Sequence, residues 1–118
     1  MLDPNVIHSY ELDMYGDASG YACGGHVGPF WFQHVFTPEQ KDWDIIHKEA
    51  HASFLLLVLA CKVYNLTGKK IRLWSDNEAL VKCMRPTRGT SKDPLLMMIL
   101  RRIQTFALRM NLSFVCSV

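Results

Sequence analysis

The sequence predicts a mixed α/β fold: a five-stranded sheet, three strands antiparallel and two parallel, with helices packed on it. Three observations predict it. Residues 10–36 hold three short strand-like stretches joined by glycines, residues 45–64 form a long apolar helical run, and strand and helix patterns then alternate to residue 118. At 118 residues, 49% of them hydrophobic, the chain is expected to be one domain over residues 1–118.

In "YELDMYGD", Tyr10, Leu12 and Met14 alternate with Glu11, Asp13 and Tyr15, the period-2 signal of a half-buried strand ending at Asp17. "YACGGHVG" and "PFWFQHVF" read as the second and third strands, the tight glycine turns making an antiparallel meander. Asp44 is the expected N-cap of a helix from Ile45 to Tyr64 that stops near Asn65 and Gly68. "KKIRLWSD" is the fourth strand and again ends on a carboxylate, Asp76; "NEALVKCM" is a short helix halted by Pro86. After the basic connector "PTRGTSKD", Pro94 opens a helix whose inward stripe is expected at Leu95, Met98, Ile99, Ile103, Phe106 and Met110, with Arg101, Arg102 and Arg109 mainly off it. "NLSFVCSV" is the fifth strand.

No apolar run approaches the roughly 18 residues a membrane span needs, and the first residues lack the basic start and apolar centre of a signal peptide, so an intracellular, membrane-free protein is expected. The cysteines Cys23, Cys61, Cys83 and Cys116 are scattered without a C-x-x-C pair and are read as reduced and mostly buried. Net charge is +2, but residues 1–61 hold two lysines against eight carboxylates, while residues 62–118 hold eleven Lys and Arg against three. An acidic cluster beside a basic surface suits a metal-dependent enzyme acting on a polyanion.

Asp17 and Asp76 end strands that would lie side by side if parallel, and ligands of open sheets gather at such carboxyl ends. Stepping by three and four from Glu49 reaches Ala52, Leu56, Ala60 and Val63, which puts Glu49 on the core-facing stripe of the long helix. A buried carboxylate costs several kcal/mol unless paired. Three of them together call for hard divalent cations, Mg²⁺ or Mn²⁺.

Together "YGDASGYACGGH", "IHKEAHASFLLLVLAC" and "IRLWSDNEALV" resemble the ribonuclease H domain of retroelement reverse transcriptases over residues 10–84, and "RGTSKDPLLMMILRRIQTFALRMNLSF" is similar to the matching region of tyrosine-recombinase-type elements. The resemblance implies a ribonuclease H-like fold and endonucleolytic cleavage of RNA in RNA–DNA hybrids. It implies catalytic and metal-holding roles for Asp17, Glu49 and Asp76 in a two-ion site, Ser19 and Asn77 facing the hybrid, and Arg85, Arg88 and Lys92 holding phosphate. The family usually adds a fourth acidic residue on a helix after the fifth strand; the present sequence ends at Val118, and Glu78 and Asp93 do not take that place. Such a chain is expected either to cleave hybrid with a weakened metal site or to be a domesticated or truncated copy that binds nucleic acid or protein. Its open sheet face would then take a polymerase domain, another protein or a second copy.

Other residues have plainer readings. His47 and His51 lie one turn apart, but no third ligand follows and a zinc site is not expected. His26 and His34 are read as surface or hydrogen-bonded side chains, and Trp31, Trp43 and Trp74 as core rather than base-stacking platforms. Met97, Met98 and Met110 are read as helical packing.

Overall fold

A computed structural model of the chain describes residues 12–84 and 93–117. Its elements are β1 (Leu12–Ala18), β2 (Ala22–Val27), β3 (Phe30–Val35), α1 (Pro38–Lys41), α2 (Ile45–Val63), β4 (Lys70–Trp74), α3 (Glu78–Cys83), α4 (Pro94–Arg109) and β5 (Ser113–Ser117). They form one five-stranded sheet in the order β3-β2-β1-β4-β5. The β1–β2 and β2–β3 pairs are antiparallel; β1–β4 and β4–β5 are parallel. This is the expected meander extended by two helical crossovers.

The β2–β3 turn is two residues long, and its Gly28 takes φ +57°, a conformation that side chains with a Cβ rarely adopt. The core lies between the sheet and α2, α3 and α4, with Met14, Val27, Leu56, Ile71, Leu80, Ile99 and Ile103 fully buried. Leu56 settles over Gly16 and Gly25. A Cβ on Gly25 would stand 3.1 Å from Leu56 Cδ1 and 2.7 Å from the Tyr15 carbonyl, so only glycine lets α2 lie this low on the sheet.

Four features differ from expectation. A short helix, α1, precedes α2: Thr37 accepts from the Gln40 N–H, and the Gln40 side chain accepts from the Thr37 N–H, a capping box that Pro38 at the first turn reinforces. Asp44 does precede α2, but its side chain makes no capping hydrogen bond. The buried stripe of α4 is Leu96, Ile99, Leu100, Ile103 and Ala107, rotated from the expected one, and Met98 is exposed. Small Ala107 and the branched leucines fit closely under α2, while Phe106 turns sideways to meet Phe54 edge to face. Trp31 is not core; it is 70% exposed on β3.

On the face of the sheet away from α2, Trp31, His26, Tyr15 and Trp74 are cross-strand neighbours on four adjacent strands. Tyr15 lies nearly parallel to His26, with ring centroids 4.9 Å apart, and to Trp74 at 6.2 Å. Arg72 covers the Trp74 ring at 5.1 Å, and the Trp74 indole N–H donates to Asp13. No helix of the described residues is long and apolar enough to cross a membrane.

Candidate active site

Strand register builds the site. Tyr15 pairs with Trp74 across the parallel β1–β4 ladder, so Asp17 and Asp76, each two residues further on, emerge side by side where the chain leaves the sheet. Glu49 comes from the second turn of α2, above buried Ala52, Leu56 and Ala60, the stripe its spacing predicts. The three side chains each present an oxygen within 4.8 Å of the others; Glu49 is buried, while Asp17 and Asp76 are exposed.

Burial, then the charges of Asp17 and Asp76, push the Glu49 carboxyl up to about 7, against the pull of the Ala18 N–H. Burial and the same Glu49 push the Cys23 thiol up to about 11, so this cysteine is a packed neutral neighbour rather than a nucleophile. Among the described residues no cationic side chain pairs with any of the three carboxylates. Lys48, adjacent in sequence and only 5% exposed, instead donates to the carbonyls of Gly20 and Lys41 at 2.8 and 2.9 Å and lies over the Phe36 ring. The cluster is therefore a set of hard oxygen donors with unbalanced negative charge, which fits a divalent cation such as Mg²⁺ or Mn²⁺.

A groove of about 390 Å³ opens beside Asp17, lined by Ser19, Tyr21, Gly24, Trp31 and Gln33 among others. On the other flank, Tyr15, Gly16, Trp74, Ser75 and Asp76 line a second depression.

No protein-family model matches the sequence, and no curated protein does. Solved structures match over most of the chain. LC11-RNase H1, in complex with an RNA/DNA hybrid, superposes with a TM-score of 0.71 at 17% identity, over 91% of this chain and 85% of that one. The chain has the ribonuclease H fold. RNase H1 from the halophilic archaeon Halobacterium salinarum NRC-1 gives a TM-score of 0.68 at 17% identity, covering 90% and 84% of the two chains. Prototype foamy virus protease-reverse transcriptase gives 0.58 at 14% identity, over 93% of this chain and 15% of the viral one. The resemblance read from the motifs thus agrees with the three-dimensional match, which at these identities is a match of fold.

On this ribonuclease H fold the sequence-picked residues fall in different places. Asp17, Glu49 and Asp76 are brought together. Ser19 borders the groove, but its hydroxyl is engaged within the β1–β2 turn, donating to the Ala22 carbonyl and accepting from the Ala22 N–H. Asn77 stands next to Asp76 and its Oδ1 caps α3 by accepting from Leu80. Arg85, Arg88 and Lys92 lie outside the described residues. His34 is hydrogen-bonded to Gln40, and His47 to Asp93 at 2.6 Å. Asp93 in turn caps α4 through the N–H groups of Leu95 and Leu96. Sequence reasoning missed the buried Lys48 strap, for which a lysine beside an acidic residue in a helix gives no signal.

Proposed function

We propose that the chain is a hydrolase that cleaves the RNA strand of RNA–DNA hybrids, with Mg²⁺ or Mn²⁺ held by Asp17, Glu49 and Asp76. One observation carries the reading: three carboxylates converge within 4.8 Å, without a cationic partner among the described residues, at the strand ends of a ribonuclease H fold. That a similar structure holds an RNA/DNA hybrid supports the substrate class. When bound, the divalent ions supply an acidified water and charge stabilisation at the phosphate. Asp17 and Asp76, being exposed, face both solvent and substrate, while Glu49 anchors the cluster from below and releases its proton as the site is loaded. Shallow grooves beside Asp17 and Asp76 leave both carboxylates accessible from solvent. The 2′-hydroxyl is the group by which the RNA strand is told from DNA.

The test is cleavage of a labelled hybrid with Mg²⁺ and with Mn²⁺, beside an Asp76→Asn variant that excludes a contaminating nuclease. Cleavage lost in the variant is the expected result; intact hybrid in both metals overturns the enzyme reading.

A second reading is favoured by the aromatic row on the open sheet face, where Trp31 and Tyr15 are 70% and 43% exposed. Under it, the fold is an interaction module whose face meets a second copy or a polymerase domain. Light scattering decides self-association: a strictly monomeric chain at high concentration removes it.

A further inference from the structure

Across α2 from the carboxylates lies a cluster of the opposite charge. Arg101, Arg102 and Arg109 are exposed on α4, and with Phe54, Thr105 and Phe106 they line a groove of about 270 Å³ between α2 and α4. No carboxylate lines it, and none forms an ion pair with these arginines among the described residues. The half-buried rings of Phe54 and Phe106 meet edge to face, 6.1 Å apart, and give the groove an apolar floor.

Arg102 and Arg109 are two turns apart on nearly the same stripe of α4, about 10.5 Å along its axis. Phe54 is five residues from Glu49, about 140° around α2, so the groove opens away from the carboxylates and is a separate site. Three arginines on one side of a short helix repel one another, and a bound anion reverses that cost. A separation of about 10.5 Å is about three 3.4 Å steps of a nucleic-acid strand. Forked guanidiniums suit phosphate, and the apolar floor suits sugars or base faces.

We infer that the α2–α4 groove is a second nucleic-acid site, which grips the sugar-phosphate backbone of a strand lying away from the cleavage centre. The choice of nucleic acid as ligand rests on the function proposed above, but the site itself needs neither metal nor cleavage.

The experiment measures binding of a labelled 20-mer hybrid, and of the matching single strand, by fluorescence anisotropy in EDTA between about 50 and 200 mM salt. It compares the wild-type chain, the triple Arg101→Gln/Arg102→Gln/Arg109→Gln, and the corresponding triple Arg→Lys. The glutamine triple is expected to bind at least about tenfold more weakly, with the slope of log K against log salt reduced by about 2 to 3. The lysine triple should keep most of the slope. Equal affinity and slope in the glutamine triple overturn the inference, as does tight binding of polyglutamate that hybrid fails to displace. A wild-type chain that binds with this arginine dependence yet never cleaves would sink the enzyme reading and leave the groove standing.

Discussion

The carboxylate cluster and the arginine groove are both like-charge assemblies built on α2, yet the chain holds them in opposite ways. Glu49 is 5% exposed and wedged under two aspartates, so burial first and their charges second make a carboxyl that keeps its proton up to about pH 7. Arg101, Arg102 and Arg109 stand in water, where screening makes their repulsion cheap and no counterion has to be resident. A buried carboxylate under two like charges demands a partner as part of the fold's stability. An exposed cluster can wait for a ligand, so metal binding should couple to folding at the first and not at the second.

Four perturbations test that contrast, the largest first. Asp76→Asn removes an exposed ligand without disturbing the core, and cleavage of hybrid should fall by on the order of 100- to 1000-fold. Urea melts of the variant should stay near wild type, and a collapse of stability would show that the cluster is structural rather than functional.

Glu49→Gln addresses the buried side of the contrast. The folded carboxyl titrates near 7 and an unfolded one near 4.5, so the folded chain holds the extra proton between those values. Stability is therefore fully present below about 4.5 and is lost as pH rises through about 7, by up to about 3 kcal/mol. The variant should flatten this dependence in metal-free urea melts, as should millimolar Mg²⁺ or Mn²⁺ on the wild type.

Gly25→Ala should cost about 1 to 3 kcal/mol, because its methyl meets the Tyr15 carbonyl and Leu56. By lifting α2 it should weaken divalent-ion affinity in calorimetry while sparing the salt slope of nucleic-acid binding. Asp93→Ala removes the α4 cap and the partner of His47, and should lower the urea midpoint by less than Gly25→Ala does. It acts on the helix that carries the arginines, and metal affinity should not change.

How much of this was readable without coordinates follows the range of each signal. Period-2 strands, the glycine turns and the Glu49–Ala52–Leu56–Ala60 stripe are local patterns, and the mixed five-stranded sheet followed from them, whereas the order of its strands did not. Asp17, Glu49 and Asp76 were legible because register and helix phase fix where they emerge. Helix α1 carried its signal in Thr37, Pro38 and Gln40, yet four residues fall below the span at which periodicity shows. The stripe of α4 was misread because leucines and methionines occupy most of its circumference, and only the shape of α2 selects which of them turn inward. Trp31 was misplaced for a similar reason: an aromatic on a strand is core or surface according to what covers its face. The arginine groove needs two helices side by side, which no linear pattern contains.

Lys48 gives the molecule a built-in chemical reporter. Its ammonium, tied to the carbonyls of Gly20 and Lys41, is shielded from solvent, whereas Lys41, Lys62 and Lys69 are exposed. Amine-reactive reagents and trypsin should therefore modify those three at once and reach Lys48 only when the β1–β2 turn parts from α2. The lag of Lys48 behind its neighbours, followed by mass spectrometry, would time the opening of the segment that carries Asp17.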